Sequence, residues 1–281
     1  MKNIKKSLVL SGVFILAISL AACKGNETSP EVMVKPTKNT SPEVIVESAK
    51  NTEVKNSEIA KKADFTYSII DEIYTEKGIT IKFPQLNKSN NEAKVDLVNK
   101  TIQEYIKMKL DTLRMGQEDM DAFSMDLKYE ITDYKNKVIS IVYQGTSNFE
   151  KSAYPVNIYY TQNITLGEVD TLILKDIFVI DDKFVEAFKS GIYSPSRDDL
   201  DLEKSGVNLK ETIESQYSNE DLINLLKTQE VNYKLTMDGV IISIEVPHAI
   251  GDHLEMVIPY KTVEENMIKS SPVWKDYLFV K

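Results

Sequence analysis

The stretch "DLKYEITDYKNKVISIVYQGT", residues 126–146, decides the architecture. Leu127, Tyr129 and Ile131 alternate with polar residues, and so do Ile139, Ile141 and Tyr143. A period of two sends each set to one face of a strand, with that face on a core and the other wet. Asp126–Tyr134 and Val138–Thr146 are therefore expected as strands, with Pro155–Thr165 as a third.

Working outward, Asn91–Arg114 places Val95, Val98, Ile102, Tyr105, Ile106, Leu110 and Leu113 at steps of three and four. That spacing predicts a long amphipathic helix. Ahead of it, β-rich runs at 64–75 and 79–84 flank Lys77-Gly78, a hairpin signal. Behind the strands come a short strand at Thr171–Leu174 and a short helix at Asp182–Lys189. Ser218-Asn219-Glu220-Asp221 is a variant of the capping box and opens a helix through Leu226. Asp238-Gly239 joins runs 233–237 and 240–246 as a hairpin, and Leu254–Tyr260 is a final strand. No βαβ alternation is visible. The expected class is α+β, with antiparallel sheets and segregated helices, in two lobes at residues 64–170 and 171–281.

The first 63 residues have a different texture. MKNIKK is basic, Leu8–Leu20 is apolar, and Leu20-Ala21-Ala22-Cys23 follows. An apolar run of about 13 residues is short for a span, which needs about 20. The four residues match the lipobox of bacterial lipoproteins, in which the cysteine sulfur takes a diacylglyceryl group before cleavage. Residues 1–22 are thus expected as a lipoprotein signal peptide and Cys23 as the lipidated residue, a tether to the cell membrane facing away from the cytoplasm. Residues 23–63 read as a linker, with the near-repeat SPEVMVKPTKNT (29–40) and SPEVIVESAKNT (41–52). Segments so poor in large apolar residues cannot offset their ordering entropy.

The full chain carries −9, and a product starting at Cys23 loses only Lys2, Lys5 and Lys6, leaving 31 basic against 43 acidic residues, or −12. That balance argues against nucleic acid, which requires a basic footprint, and leaves room for a cationic partner. With one cysteine the chain forms no internal disulfide.

Candidate chemistry is sparse. His248 and His253 are the only histidines, in PHAIGDHLE beside Asp252 and Glu255, a spacing that no standard zinc signature has. They read as turn or surface histidines. Asp198 and Asp199 open an acidic run after a Ser-Pro-Ser turn, without the glycine and closing glutamate of a calcium loop. Tyr154, Tyr159, Tyr160, Tyr193 and Trp274 are aromatics fit to stack on sugars or anchor a partner, although strand alternation sends some of them into the core. No G-x-S-x-G, Walker or dinucleotide pattern occurs, and no cofactor is implied. The candidate ligand-binding set is Tyr154, Tyr159, Tyr193, Asp198, Asp199, His248 and His253, with no catalytic or metal assignment.

Three pieces, ITIKFPQLNKSNNEAKVDLVNKTIQEYI (79–106), SAYPVNIYYTQNITLGEVDTLILKDIF (152–178) and LTMDGVIISIEVPHAIGDHLEMVIPY (235–260), come in an order that resembles one family of extracytoplasmic bacterial domains. That family includes the outer part of the lysozyme-sensing anti-sigma-V factor and the domain preceding the catalytic module of peptidoglycan deacetylase C. The resemblance implies a non-catalytic binding or sensing domain, with a lysozyme-like cationic protein or a peptidoglycan glycan as ligand. Similar proteins often have histidine where this chain has Tyr154, so no role of that histidine carries over. The rival expectation is a wall-active hydrolase whose carboxylate pair assembles in space.

Overall fold

The computed structural model describes residues 65–115, 120–195 and 200–277. Cys23, the signal segment, the linker, Asp198 and Asp199 lie outside the described residues.

Chain order runs β1 (Ser68–Glu76), β2 (Ile79–Asn87), α1 (Glu92–Met115), β3 (Phe123–Tyr134), β4 (Val138–Phe149), β5 (Val156–Thr165), β6 (Asp170–Thr171), α2 (Asp182–Lys189), β7 (Ile192–Tyr193), α3 (Leu209–Gln216), α4 (Asn219–Leu226), β8 (Asn232–Leu235), β9 (Gly239–Glu245) and β10 (His253–Pro259). The strands form a six-stranded sheet, β1-β2-β3-β4-β5-β6, and a four-stranded sheet, β7-β10-β9-β8. This is an α+β protein. One pairing departs from the antiparallel expectation: β2 and β3 run parallel, with Ile79 opposite Met125 and Ile81 opposite Leu127. The helix α1 supplies the crossover that a parallel pair requires, so a single βαβ unit exists where the sequence showed none.

The long hairpin of the opening stretch closes on Lys135 and Asn136, with φ of 51° and 56°. Successive positive φ values give the turn whose twist matches the flanking strands. Asp133 accepts from the Asn136 backbone N–H at 2.6 Å and Lys137 N–H donates to the Tyr134 carbonyl at 2.9 Å. Val95, Val98, Ile102, Ile106 and Leu110 of α1 are buried against Leu127, Ile139, Ile141 and Tyr143. A second core gathers Phe184, Phe188, Ile213, Leu222, Ile242, Ile258 and Trp274 beneath the four-stranded sheet. Trp274 is almost wholly buried and its indole donates to the Ile177 carbonyl at 2.9 Å, so it is a core residue and no stacking platform.

Local differences have local causes. Leu174 opens a helical turn, Leu174–Asp176, where a strand was expected, and the strand ends at Thr171. The first six residues of β4 are buried on both faces, where one wet face was expected. The reason is the second sheet. Ser140 donates to Asn163 at 2.5 Å and accepts from Leu235 N–H at 3.1 Å. Thr161 accepts from Tyr233 N–H at 2.8 Å, and Asn163 donates to the Tyr233 carbonyl at 2.8 Å. Polar side chains of β4 and β5 thereby satisfy the free backbone edge of β8.

Candidate functional site

Beyond this seam the polar face of β3, β4 and β5 lies open as a groove of about 650 Å³. Its lining includes Lys128, Glu130, Gln144, Thr146, Asn157 and, from the second sheet, His253. Gly145 lies among the lining residues, and a Cβ there would sit 1.9 Å from the Asp126 carbonyl oxygen, because β3 and β4 approach too closely for a side chain.

One side of the groove is built where the entry to β5 meets the β9–β10 loop. Gly251 and Asp252 take φ of 109° and 70° in succession. A Cβ at Gly251 would also come within 2.6 Å of Leu200, so both backbone angle and space call for glycine. The resulting turn aims the Asp252 carboxylate at β5, where it accepts from Asn157 N–H and Nδ2, each at 2.8 Å. The same carboxylate meets His248 Nδ1 at 2.9 Å. His248 in turn stacks on Tyr154, with ring centroids 5.4 Å apart and 26° between planes. Tyr154 is 67% exposed and Val156 beside it is also exposed, leaving an aromatic and an apolar surface at this edge.

Behind the lining lies a buried polar cluster. Strand β10 sends His253 and Glu255 to the seam side, and Glu255 stands opposite Ser243 of β9. His253 Nδ1 is 2.9 Å from Glu255 Oε1, yet the alignment does not complete a hydrogen bond between them. The Tyr159 ring lies 5.0 Å from that of His253. Burial, then the charges of Glu255 and Glu130, push the Tyr159 phenol far above its ordinary range. Among the described residues, five buried side-chain polar atoms lack a hydrogen-bond partner, and four of them are here: Tyr159 Oη, Ser243 Oγ, His253 Nδ1 and Glu255 Oε1. The last two face each other at 2.9 Å, so the unpaired burden, roughly 1–3 kcal/mol for each buried group, falls on Tyr159 Oη and Ser243 Oγ.

The structure thus brings Tyr154, Tyr159, His248 and His253 to one locale. Tyr193 is its near neighbour, since it pairs with Met256 on β10; it is half-buried, and its hydroxyl donates to the Leu200 carbonyl at 3.2 Å. His253 is a half-buried strand residue with a side chain only 9% exposed, not a turn or surface histidine. Tyr160 faces α1, with Lys109 Nζ 4.5 Å from its ring. Asn157, Gln144, Thr146 and Ser243 were not singled out by sequence; their only advance signal was an outward position in a strand. Among the described residues no three His, Cys, Asp or Glu side chains converge as a metal set, and no helix is long and apolar enough to cross a membrane.

No protein-family model matches the chain, and no curated protein matches it. Among solved structures it is similar to a DUF3298 family member from Bacteroides fragilis, at 18% identity over 72% of this chain and 92% of that one, with a TM-score of 0.43. It is also similar to a DUF3298 family protein from Pseudomonas aeruginosa, at 14% identity over 76% of this chain and 96% of that one, with a TM-score of 0.42. Both belong to a family of domains of unknown function.

Proposed function

We propose that the chain is a cell-surface lipoprotein, tethered at Cys23, whose folded part is an extracytoplasmic binding domain for a neutral, hydroxyl-rich chain, a cell-wall glycan. The tether rests on the basic, apolar and Leu20-Ala21-Ala22-Cys23 segments in that order. The resemblance to anti-sigma-V and deacetylase C domains points to the same side of the membrane.

The single observation that favours a glycan is the charge pairing at the groove. Glu130 lies 3.8 Å from Lys234, Asp252 lies 2.9 Å from His248, and Glu255 lies 2.9 Å from His253. The carboxyl of the lining, Glu130, has Lys234 within ion-pair reach, Asp252 and Glu255 outside the lining have imidazoles beside them, and Lys128 adds a cation to the lining. A pocket for a lysine or arginine of a basic protein would instead present carboxyls without bases beside them. The groove offers amides and a hydroxyl set among Tyr129, Pro155 and Ile158, and the exposed Tyr154 ring stands beside it, a mixture suited to hydrogen-bonding and stacking on sugar rings. A hydrolase of glycosidic bonds uses two carboxyls across the scissile bond. Among the described residues the lining carries one, Glu130, already accepting from Gln144 at 3.2 Å.

The second reading, a lysozyme-like cationic ligand, draws on the −12 charge of the product that starts at Cys23. One titration separates the two. The mature chain carrying Cys23→Ser is titrated with a tetramer of N-acetylglucosamine and, separately, with lysozyme, at low and at moderate salt. Glycan binding that saturates and barely responds to salt is expected. Lysozyme binding that weakens steeply with salt, without any glycan binding, would overturn the proposal in favour of the second reading.

A further inference from the structure

Among the described residues, strand β1 is the one long sheet edge left uncovered. At two other edges β6 and β7 have two residues each, and the edge of β8 is served by side chains of β4 and β5. The pairing of β1 with β2 is unbroken from Ser68 opposite Asn87 to Glu76 opposite Ile79, so no bulge turns this edge away. Its ladder bonds alternate, and the pair that closes the two-residue Lys77-Gly78 loop is a hydrogen-bonded one. Pro84, which has no N–H, stands opposite Asp71, in agreement with that alternation. Ile69, Asp71, Ile73 and Thr75 therefore turn their N–H and carbonyl groups outward. Water serves such groups well, but not the side chains beside them: Ile69, Ile70 and Ile73 are 38%, 42% and 55% exposed.

The charges on the strand say what covers it. β1 carries Asp71, Glu72 and Glu76 and no base. Arg114 pairs with Glu76, whereas Asp71 accepts from the neutral Tyr129 hydroxyl at 2.5 Å. Among the described residues neither Asp71 nor Glu72 has a base within ion-pair reach. A second copy pairing here would lay three acids against three, which like-charge repulsion opposes. A strand with two adjacent basic residues between apolar ones instead meets Ile70-Asp71-Glu72-Ile73 with opposite charge in the middle and apolar contact at both ends. We propose that the outer edge of β1 is a docking site for an extended basic segment of a partner protein, which adds a strand to the six-stranded sheet. Main-chain hydrogen bonds hold the segment, Asp71 and Glu72 select it, and the three isoleucines are covered by it. No residue of β1 lines the groove, so neither proposal rests on the other.

The probe is the peptide Thr-Val-Lys-Lys-Val-Val-Thr, the antiparallel complement of Ser68 to Tyr74, added to the mature Cys23→Ser chain and followed by amide chemical shifts. Saturating shifts from Ile69 to Thr75 are expected, with an affinity about tenfold above that of Thr-Val-Glu-Glu-Val-Val-Thr. N-methylation of the peptide at alternate residues, in each of the two phases, separates an added strand from a merely charged contact: one phase should abolish binding and the other leave it intact. A chain carrying Asp71→Lys and Glu72→Lys should prefer the glutamate peptide, a reversal that loss of folding cannot produce. Absence of saturable shifts at β1 up to millimolar peptide, equal binding by the two N-methylated peptides, or an unreversed preference overturns the proposal. Where the shifts are absent and the parent chain sediments as a dimer, the edge belongs to a second copy instead.

Discussion

Asp252 is the residue on which the groove's edge turns. Its carboxylate gathers the Asn157 backbone and side-chain donors together with His248, and it does so from a φ of 70° that aspartate tolerates better than most residues. Replacing it with alanine leaves the Asn157 N–H without its acceptor and frees the His248 ring that carries Tyr154. The expected cost of Asp252→Ala is about 1–3 kcal/mol in urea unfolding, together with weaker glycan binding. Unchanged stability would mean that the clasp is not formed. The two histidines and their acidic neighbours stood out in the sequence because PHAIGDHLE collects them. The partner Asn157 did not, since it lies 95 residues away and local pattern carries no trace of such a pairing. For the same reason Ser243 was invisible: its position opposite Glu255 is set by strand register, which one strand alone does not reveal.

Among the elements, the clearest signals were those with chemistry at fixed spacing. Helix α4 begins as its sequence requires, with Ser218 accepting from Asp221 N–H and Asp221 accepting from Ser218 N–H. Ser218→Ala should cost about 1 kcal/mol, read from the unfolding midpoint. The face of α1 was equally legible from its steps of three and four. Ile102 lies wholly buried in that face, and Ile102→Ala should cost about 2–5 kcal/mol. Two short elements were missed: β7 has only two residues, and α3, although Asn208 caps it with Glu211 three residues on, has no apolar rhythm strong enough to announce it. The parallel β2–β3 pairing was hidden because nothing in either strand specifies the direction of its neighbour. Gly145 belongs to this scale as well. Its contact is with backbone, which cannot step aside, so Gly145→Ala should disrupt the β3–β4 ladder by about 1–3 kcal/mol. A variant as stable as the parent would show that the two strands are further apart.

At the scale of the whole described region, the polar seam between the sheets has a counterpart in how tyrosines are stored. Burial pushes the Tyr134 phenol up to about 12 and drives Tyr143 and Tyr233 well above their ordinary range. Unfolding returns each to about 10. A group whose folded pKa is raised gives its full stability below the unfolded value and loses it as pH climbs toward the folded one. Stability should therefore hold up to pH about 10 and then decline, as followed by melting temperature across that range; a rise above pH 10 would contradict the burial of these rings. The alternation of the opening stretch marked which face of each strand is apolar. It could not show that the opposite face of β4 is covered, because Ser140 and Asn163 look like solvent-facing residues until β8 is laid across them.

The central claim is that the open face of β3, β4 and β5, with the Tyr154–His248 edge, takes a neutral glycan. Its most direct test is amide and side-chain chemical-shift mapping of the mature Cys23→Ser chain as the N-acetylglucosamine tetramer is added. Shifts that saturate and concentrate at Gln144, Thr146, Tyr154, Asn157 and His253 are predicted. Shifts confined to other surfaces, or none at saturating tetramer, would contradict it.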